Sequence, residues 1–298
     1  MTMRAIGADA TIRRSRIGDY LDLTKPRITS LVLVTTAVGF YMSSAGGMAN
    51  ILFLHAIVGV AMVAGGASAL NQYQERYHDA RMDRTRNRPL PAGRIGEFDA
   101  LVFSWTISVA GVAYLLLFTN VVTAILSAIT LLLYVFLYTP LKTHTAVATL
   151  VGAVPGAAPP ILGWTAAGGP VDGMALALFL MVFVWQMPHF LAIAWLYDED
   201  YVRGGFQSLT IHRSGEESAC RQIILYSCAL VPISLLPTTF GITGNAYMFG
   251  ALLAGLVYLG YGIALALFRS QVAARRLLRI SIIYLPAVFL LMVIDKAG

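Results

Sequence analysis

"NQYQERYHDARMDRTRNRPLPAGR", residues 71–94, places six arginines and three acids directly behind an apolar run that begins near residue 50. The chain around it has 298 residues, is 58% hydrophobic and 12% charged, and has a mean hydropathy of +0.72. A soluble domain carries about 25% charged residues, and so little polar surface does not clothe a water-soluble globule. Apolar runs long enough to cross a bilayer recur from residue 28 to the C-terminus. The fold class expected is all-α: a polytopic helical bundle whose partner is the lipid bilayer, with the stretch at 71–94 closing one membrane helix.

Working outward from that stretch, Gly/Pro breaks and charge clusters divide the chain into nine candidate helices: 28–44, 50–73, 99–118, 121–138, 146–165, 173–196, 219–239, 245–268 and 277–295. Seven is the alternative count, because the turn at Thr119–Asn120 is very tight. If helices alternate, the N-terminus and the loops at 74–98, 139–145, 197–218 and 269–276, with their flanks, hold all 21 Lys and Arg residues except Lys296. The opposite loops, such as "TAAGGPVDG" and "TFGITGNAY", hold almost no charge. The basic side is cytoplasmic by the positive-inside rule, so the N-terminus is inside, the C-terminus outside and the span count odd. The net charge of +6 therefore records topology and is no argument for nucleic acid. Residues 1–27 read as a disordered cytoplasmic tail without a cleavable signal peptide, a mitochondrial presequence being the alternative. Residues 28–298 read as a single transmembrane domain. Cys220 and Cys228 show no metal-site spacing.

Asn71, Glu75, Asp79 and Asp83 recur every four residues. On an α-helix each such step drifts by about 40°, so the four form one stripe. Carboxylates and an amide oxygen are hard ligands suited to Mg²⁺ shared with a phosphate substrate. Arg84, Arg86 and Arg88 follow, and a guanidinium is a planar fork for phosphate oxygens. The bland reading is a solvated helix end with i,i+4 ion pairs. Against it, Asn71 and Glu75 begin while the segment is still apolar, where polar groups are costly, and "RPLPAG" is a stiff turn that holds the arginines beside the acids. A metal-bridged diphosphate site is the sharper expectation. A second acidic cluster, Asp198, Glu199 and Asp200, follows the sixth candidate helix on the same side. Lys142, the single basic residue of its loop, meets the diphosphate or serves topology.

In these residues the chain resembles the UbiA superfamily of intramembrane aromatic prenyltransferases, and within it the heme O synthase branch. The superfamily's first motif is N-D-x-x-D-x-x-x-D; the branch resembles N-Q-x-x-E-x-x-x-D-x-x-M-x-R-T-x-x-R-P-L. Asn71, Gln72, Glu75, Asp79, Met82, Arg84, Thr85, Arg88, Pro89 and Leu90 stand in register with the latter. "LTKPRI", "YTPLK", "GAVPGAAPPILGW" and "WQMPHF" fit the same branch. Two departures stand out. The second motif, roughly D-x-x-x-D, appears as Tyr197-x-x-x-Tyr201, with Asp200 its best match, and "GGFQSL" replaces a segment like "AGIPML".

The resemblance implies transfer of the farnesyl group of farnesyl diphosphate to a vinyl of heme B, with water added, giving heme O and diphosphate. It implies Mg²⁺ held by Asn71, Glu75, Asp79, Asp83 and Asp200, with Arg84, Arg88 and Lys142 on the diphosphate. It also implies a bacterial inner membrane with the site near the cytoplasmic face, and a heme A synthase or terminal oxidase as downstream partner. His189 in "WQMPHF" is the candidate heme ligand, about 16 Å along a helix from Asp200; the alternative is that it bonds a carbonyl freed by Pro188. Rival readings are a 4-hydroxybenzoate polyprenyltransferase, set apart by its acceptor, and a transporter. The acids gather at one membrane face, whereas coupling sites of transporters lie near the midplane.

Overall fold

The computed structural model describes residues 15–44, 51–207 and 213–297; expectations placed on residues 1–14, 45–50 and 208–212 lie outside them. The described chain is helical: α1 (Arg16–Leu23), α2 (Pro26–Ser43), α3 (Ile51–Asp79), α4 (Glu97–Phe118) and α5 (Val121–Leu132), which continues through a π-helical turn (Leu133–Tyr138) into α6 (Thr139–Leu141). There follow α7 (Ala148–Ala157), α8 (Pro159–Ala166), α9 (Gly173–Leu196), α10 (Asp198–Gly204), α11 (Arg213–Thr239), α12 (Asn245–Phe268) and α13 (Gln271–Ile294).

Seven helices are long and apolar enough to cross a membrane by length and composition: α3, α4, the α5–α6 unit, α9, α11, α12 and α13. Two further helical segments, α2 and the α7–α8 pair, pack among them; they fall at two of the nine expected positions but are not among the seven. Pro159 and Pro160 cannot donate backbone hydrogen bonds, and α7 gives way to α8 at Ala158. These two segments pack backbone to backbone. A Cβ on Gly39 would lie 1.9 Å from the Pro160 carbonyl oxygen, and one on Gly163 would lie 1.9 Å from that of Thr36, so only glycine permits the approach. Thr119 and Asn120 do separate two helices, with the Asn120 side chain accepting from Thr123 N to cap α5.

The ends of the helices sort by charge. At the charge-poor end, Lys296 Nζ donates to the carbonyls of Tyr41 and Ser44 at 2.7 Å each, and Asn120 Nδ2 donates to Thr165 O at 2.7 Å. Lys296, the basic residue outside the charge partition, thus satisfies carbonyls at the end of α2, a favoured place for a cation. The opposite end gathers Lys25, Lys142, α10 and the turns after α3. Gln207 N donates there to Lys142 O at 2.8 Å.

The leader departs from the disordered tail expected of it. From Arg16 it is helical: the Ser15 side chain accepts from Gly18 N, Leu23 is fully buried, and Asp19 pairs with Arg94 at 2.7 Å. An N-cap, an apolar contact and an ion pair each contribute to ordering so short a helix against the bundle.

Candidate active site

A cavity of ≈ 400 Å³ is walled by α2, α3, the α5–α6 unit, α7, α8 and α9. Its walls are apolar, formed by Ile28, Val32, Val60, Leu131, Leu162 and Phe190 among others. One end is ionic: Lys25, Asn71, Glu75, Asp79, Arg84, Arg88 and Lys142 all line it. Asn71, Glu75 and Asp79 are buried on the stripe that their spacing predicts.

Each of these three side chains is met by a cation. Lys25 Nζ donates to Asn71 Oδ1 at 2.5 Å, Lys142 Nζ to Glu75 Oε1 at 2.6 Å, and Arg88 Nη1 to Asp79 Oδ2 at 2.6 Å. Asn71 Nδ2 donates to Thr139 Oγ1 at 3.3 Å, which orients its oxygen toward Lys25. Asp79 Oδ1 is buried without a hydrogen-bond partner. Lys142 Nζ also stands 4.4 Å from the Tyr138 ring centroid, within cation–π range. Tyr138 reaches that position because residue 152 is glycine: a Cβ there would lie 2.3 Å from the tyrosine ring. The π-helical turn that carries Tyr134 and Tyr138 breaks the α-helical register beside the cavity, a frequent arrangement at functional sites.

The two lysines are tuned in opposite directions. Burial, reinforced by the nearby Arg88 guanidinium, lowers the Lys25 ammonium to about 7. Burial acts against the charge on Lys142 as well, but the Glu75 carboxylate and the two tyrosines outweigh it and raise the group well above its ordinary value. Lys25 also adopts a left-handed backbone, φ 50 and ψ 65, where a non-glycine residue is strained.

The outer acids lie apart from this cavity. Asp83 Oδ2 pairs with Arg203 at 3.0 Å and Asp83 Oδ1 with Arg86 at 3.3 Å; the same Arg203 bonds Asp200. Asp83 and Asp200 line a separate surface recess with Asp198 and Glu199. Among the described residues no three His, Cys, Asp or Glu side chains converge in a metal-binding group.

The profile of the UbiA prenyltransferase family matches residues 32–285. The chain belongs to the UbiA prenyltransferase family. It is 44% identical over 289 residues to a protein named protoheme IX farnesyltransferase from Solibacter usitatus, covering 94% of this chain and 99% of that one. It is 39% identical over 280 residues to the protein of that name from Aquifex aeolicus, covering 94% and 95% of the two chains. Among solved structures it is similar to a digeranylgeranylglyceryl phosphate synthase, with a TM-score of 0.77, 19% identity and coverage of 94% and 98%. A UbiA homolog from Archaeoglobus fulgidus bound to GPP and Mg²⁺ gives a TM-score of 0.65 at 14% identity, covering 92% and 99%. At these identities the structures speak for the fold alone. The UbiA membership and the long apolar helices make this an integral membrane protein.

Within the UbiA fold the structure brings together Asn71, Glu75, Asp79, Arg84, Arg88 and Lys142, and leaves Asp83, Asp200 and His189 outside that group. Asp83 parts from the stripe because α3 ends at Asp79. The chain then turns, with Thr85 Oγ1 donating to Asp79 O at 2.9 Å, so the four-residue spacing no longer keeps one face. Asp200 meets the first cluster through Asp83, whose N donates to Asp200 Oδ1 at 3.4 Å, and not through the cavity. His189 points toward α13: Nδ1 is 2.7 Å from Ser281 Oγ and the ring stacks on Trp185 with centroids 5.2 Å apart. Its neighbour Phe190 lines the cavity instead.

Sequence reasoning assigned no role to Lys25, Tyr134, Tyr138 or Phe206, which line the ionic end. Two signals were present. A lysine directly before a proline marks a chain break, and Tyr138 and Lys142 share the four-residue spacing of the acidic stripe.

Proposed function

We propose that this protein transfers the farnesyl group of farnesyl diphosphate to a vinyl group of heme B, with addition of water, giving heme O and diphosphate. The reaction takes place near the cytoplasmic face of a bacterial inner membrane. The observation that carries this reading is one cavity with buried cations and carboxylates at one end and apolar walls along the rest. A prenyl diphosphate has the same division into an ionic head and a hydrocarbon tail. The relatives named protoheme IX farnesyltransferase supply the acceptor.

The residues present fit a divalent cation. Asp79 Oδ1 is buried and unpartnered, and Asn71 Oδ1 and Glu75 add oxygen donors beside it. Asn71, Glu75 and Asp79 would hold Mg²⁺; Asp83 and Asp200, already paired with Arg203 outside the cavity, stand apart from this set. Bound there, the ion supplies neutralisation of the charge that grows on the leaving diphosphate.

The chain's own residues do the remainder. Lys25, Arg84, Arg88 and Lys142 move their charge from the carboxylates and Asn71 onto the diphosphate oxygens and hold the head in place as the C1–O bond breaks. The apolar walls keep water from the allylic cation until the vinyl carbon reaches C1. The new C–C bond leaves a cation on the carbon next to the pyrrole. Water adds to that carbon, and its proton leaves to complete the hydroxyethylfarnesyl group.

The test is mass spectrometry of the porphyrin after purified protein is incubated with farnesyl diphosphate, heme B and Mg²⁺. A product heavier by one farnesyl and one hydroxyl is expected. Turnover on a phenolic acceptor with heme unchanged would assign a different UbiA reaction, and substrate flux in liposomes without turnover would assign transport.

A further inference from the structure

Gln72 stands beside Asn71 on α3 but faces another way. Its side chain is buried, and Nε2 donates to the carbonyls of Asp22 at 3.0 Å and Leu23 at 2.9 Å. Carbonyls only accept, so the amide nitrogen must face them and its orientation is not in question. Oε1 is left buried without a partner, a cost that an apolar residue would avoid. Asp22 and Leu23 close α1; the Asp22 carbonyl also accepts from Lys25 N at 3.2 Å, so Gln72 adds a side-chain donor to a turn that Lys25 itself helps close.

Two residues beyond Leu23, Lys25 adopts its left-handed backbone, and Pro26 then opens α2. Left-handed geometry at a residue with a Cβ persists only where the surroundings impose it. Here Pro26 fixes the chain on one side and Gln72 holds it on the other. The ammonium of Lys25 lands on Asn71 Oδ1 at 2.5 Å. Adjacent residues of α3 thus hold one segment twice, Gln72 by its backbone and Asn71 by its charged tip.

We propose that Gln72 is a positioning residue: by clamping the end of α1 it holds Lys25 at the ionic end of the cavity, where the ammonium meets the substrate diphosphate. The inference rests on the proposed function, in which Lys25 is one of the diphosphate cations. Gln72 itself touches no substrate. Without its two hydrogen bonds, α1 is released and residue 25 relaxes to negative φ, which redirects the ammonium away from the cavity.

The experiment is a double-mutant cycle on the full-length protein, reading affinity for a non-reacting farnesyl diphosphate analogue and turnover with heme B. Lys25→Met is expected to weaken the analogue by about 10- to 100-fold, the range of a charged hydrogen bond. Gln72→Met is expected to weaken it about 5- to 10-fold and to lower kcat/KM for farnesyl diphosphate by at least as much. The double variant binds no more weakly than Lys25→Met alone, because both changes remove one interaction. Additive losses would show that Gln72 does not act through Lys25, and would overturn the proposal while leaving the diphosphate site intact. An analogue affinity untouched by Lys25→Met would remove Lys25 from the site, and the proposal with it. If Gln72→Met does not fold, Gln72→Asn, which keeps the amide on a shorter stem, runs the same cycle: non-additive losses support the clamp and additive losses overturn it.

Discussion

The two halves of the bundle bury polar groups in different ways. Around the cavity, α2, α3 and the α5–α6 unit enclose ions: Asn71, Glu75 and Asp79 are almost wholly buried, and each is faced by Lys25, Lys142 or Arg88. The half built from α9, α11, α12 and α13 buries neutral groups within a broad apolar core. There Tyr247 OH donates to Ser234 O at 2.7 Å, Tyr258 OH to Trp185 O at 3.1 Å, and Trp185 Nε1 to Ser281 O at 2.9 Å. Ions in a membrane bundle are costly and are kept where they act; neutral donors on carbonyls hold helices together. Under the proposed function, chemistry belongs to the first half and scaffolding to the second.

The largest effect that would break this contrast lies on the stripe. Glu75→Gln and Asp79→Asn remove charge at constant volume, and turnover is expected to fall about 10²- to 10³-fold, the scale of a lost transition-state contact. Chelation of Mg²⁺ should abolish turnover in the wild type. Near-normal rates for either variant at limiting Mg²⁺ would take that residue out of the metal set.

Next comes Arg88→Lys, which keeps the charge and loses the fork. Affinity for a farnesyl diphosphate analogue is expected to drop about tenfold, measured by calorimetry. Unchanged affinity would return Arg88 to a structural role against Asp79.

The scaffold half should answer in stability alone. Tyr258→Phe is expected to lower unfolding free energy by about 1 kcal/mol, the usual worth of one hydrogen bond, with kcat/KM unaltered. A fall in kcat/KM without loss of stability would extend the chemistry into this half.

His189 sharpens the boundary, because it stands on α9, which belongs to the scaffold half and also walls the cavity. Its Nδ1 pairs with Ser281 and its ring stacks on Trp185, and we propose that these contacts are its role. His189→Ala should therefore cost about 1 kcal/mol of stability and leave the Soret band of bound heme B in place. A shifted Soret band in a folded variant would instead put the heme iron on this imidazole. The smallest effect is expected at Lys296→Met, about 0.5 kcal/mol from the lost cation at the end of α2, read by thermal unfolding.

Local pattern was enough for much of this. Apolar runs, Gly/Pro breaks and the one-sided arginines located the helices and sorted their ends, because hydropathy and charge act on each segment separately. The four-residue spacing put Asn71, Glu75 and Asp79 on one face of α3, because helix geometry is the same everywhere. Where the pattern ran past the end of its helix it misplaced Asp83, since the turn after Asp79 is set by Thr85 and the facing arginines. The face shown by His189 depends on how α9 rotates against α13, and the entry of Lys25 on contacts from Gln72 and Asn71, 46 or more residues away. Those are consequences of packing between distant segments, and only the tertiary structure decided them.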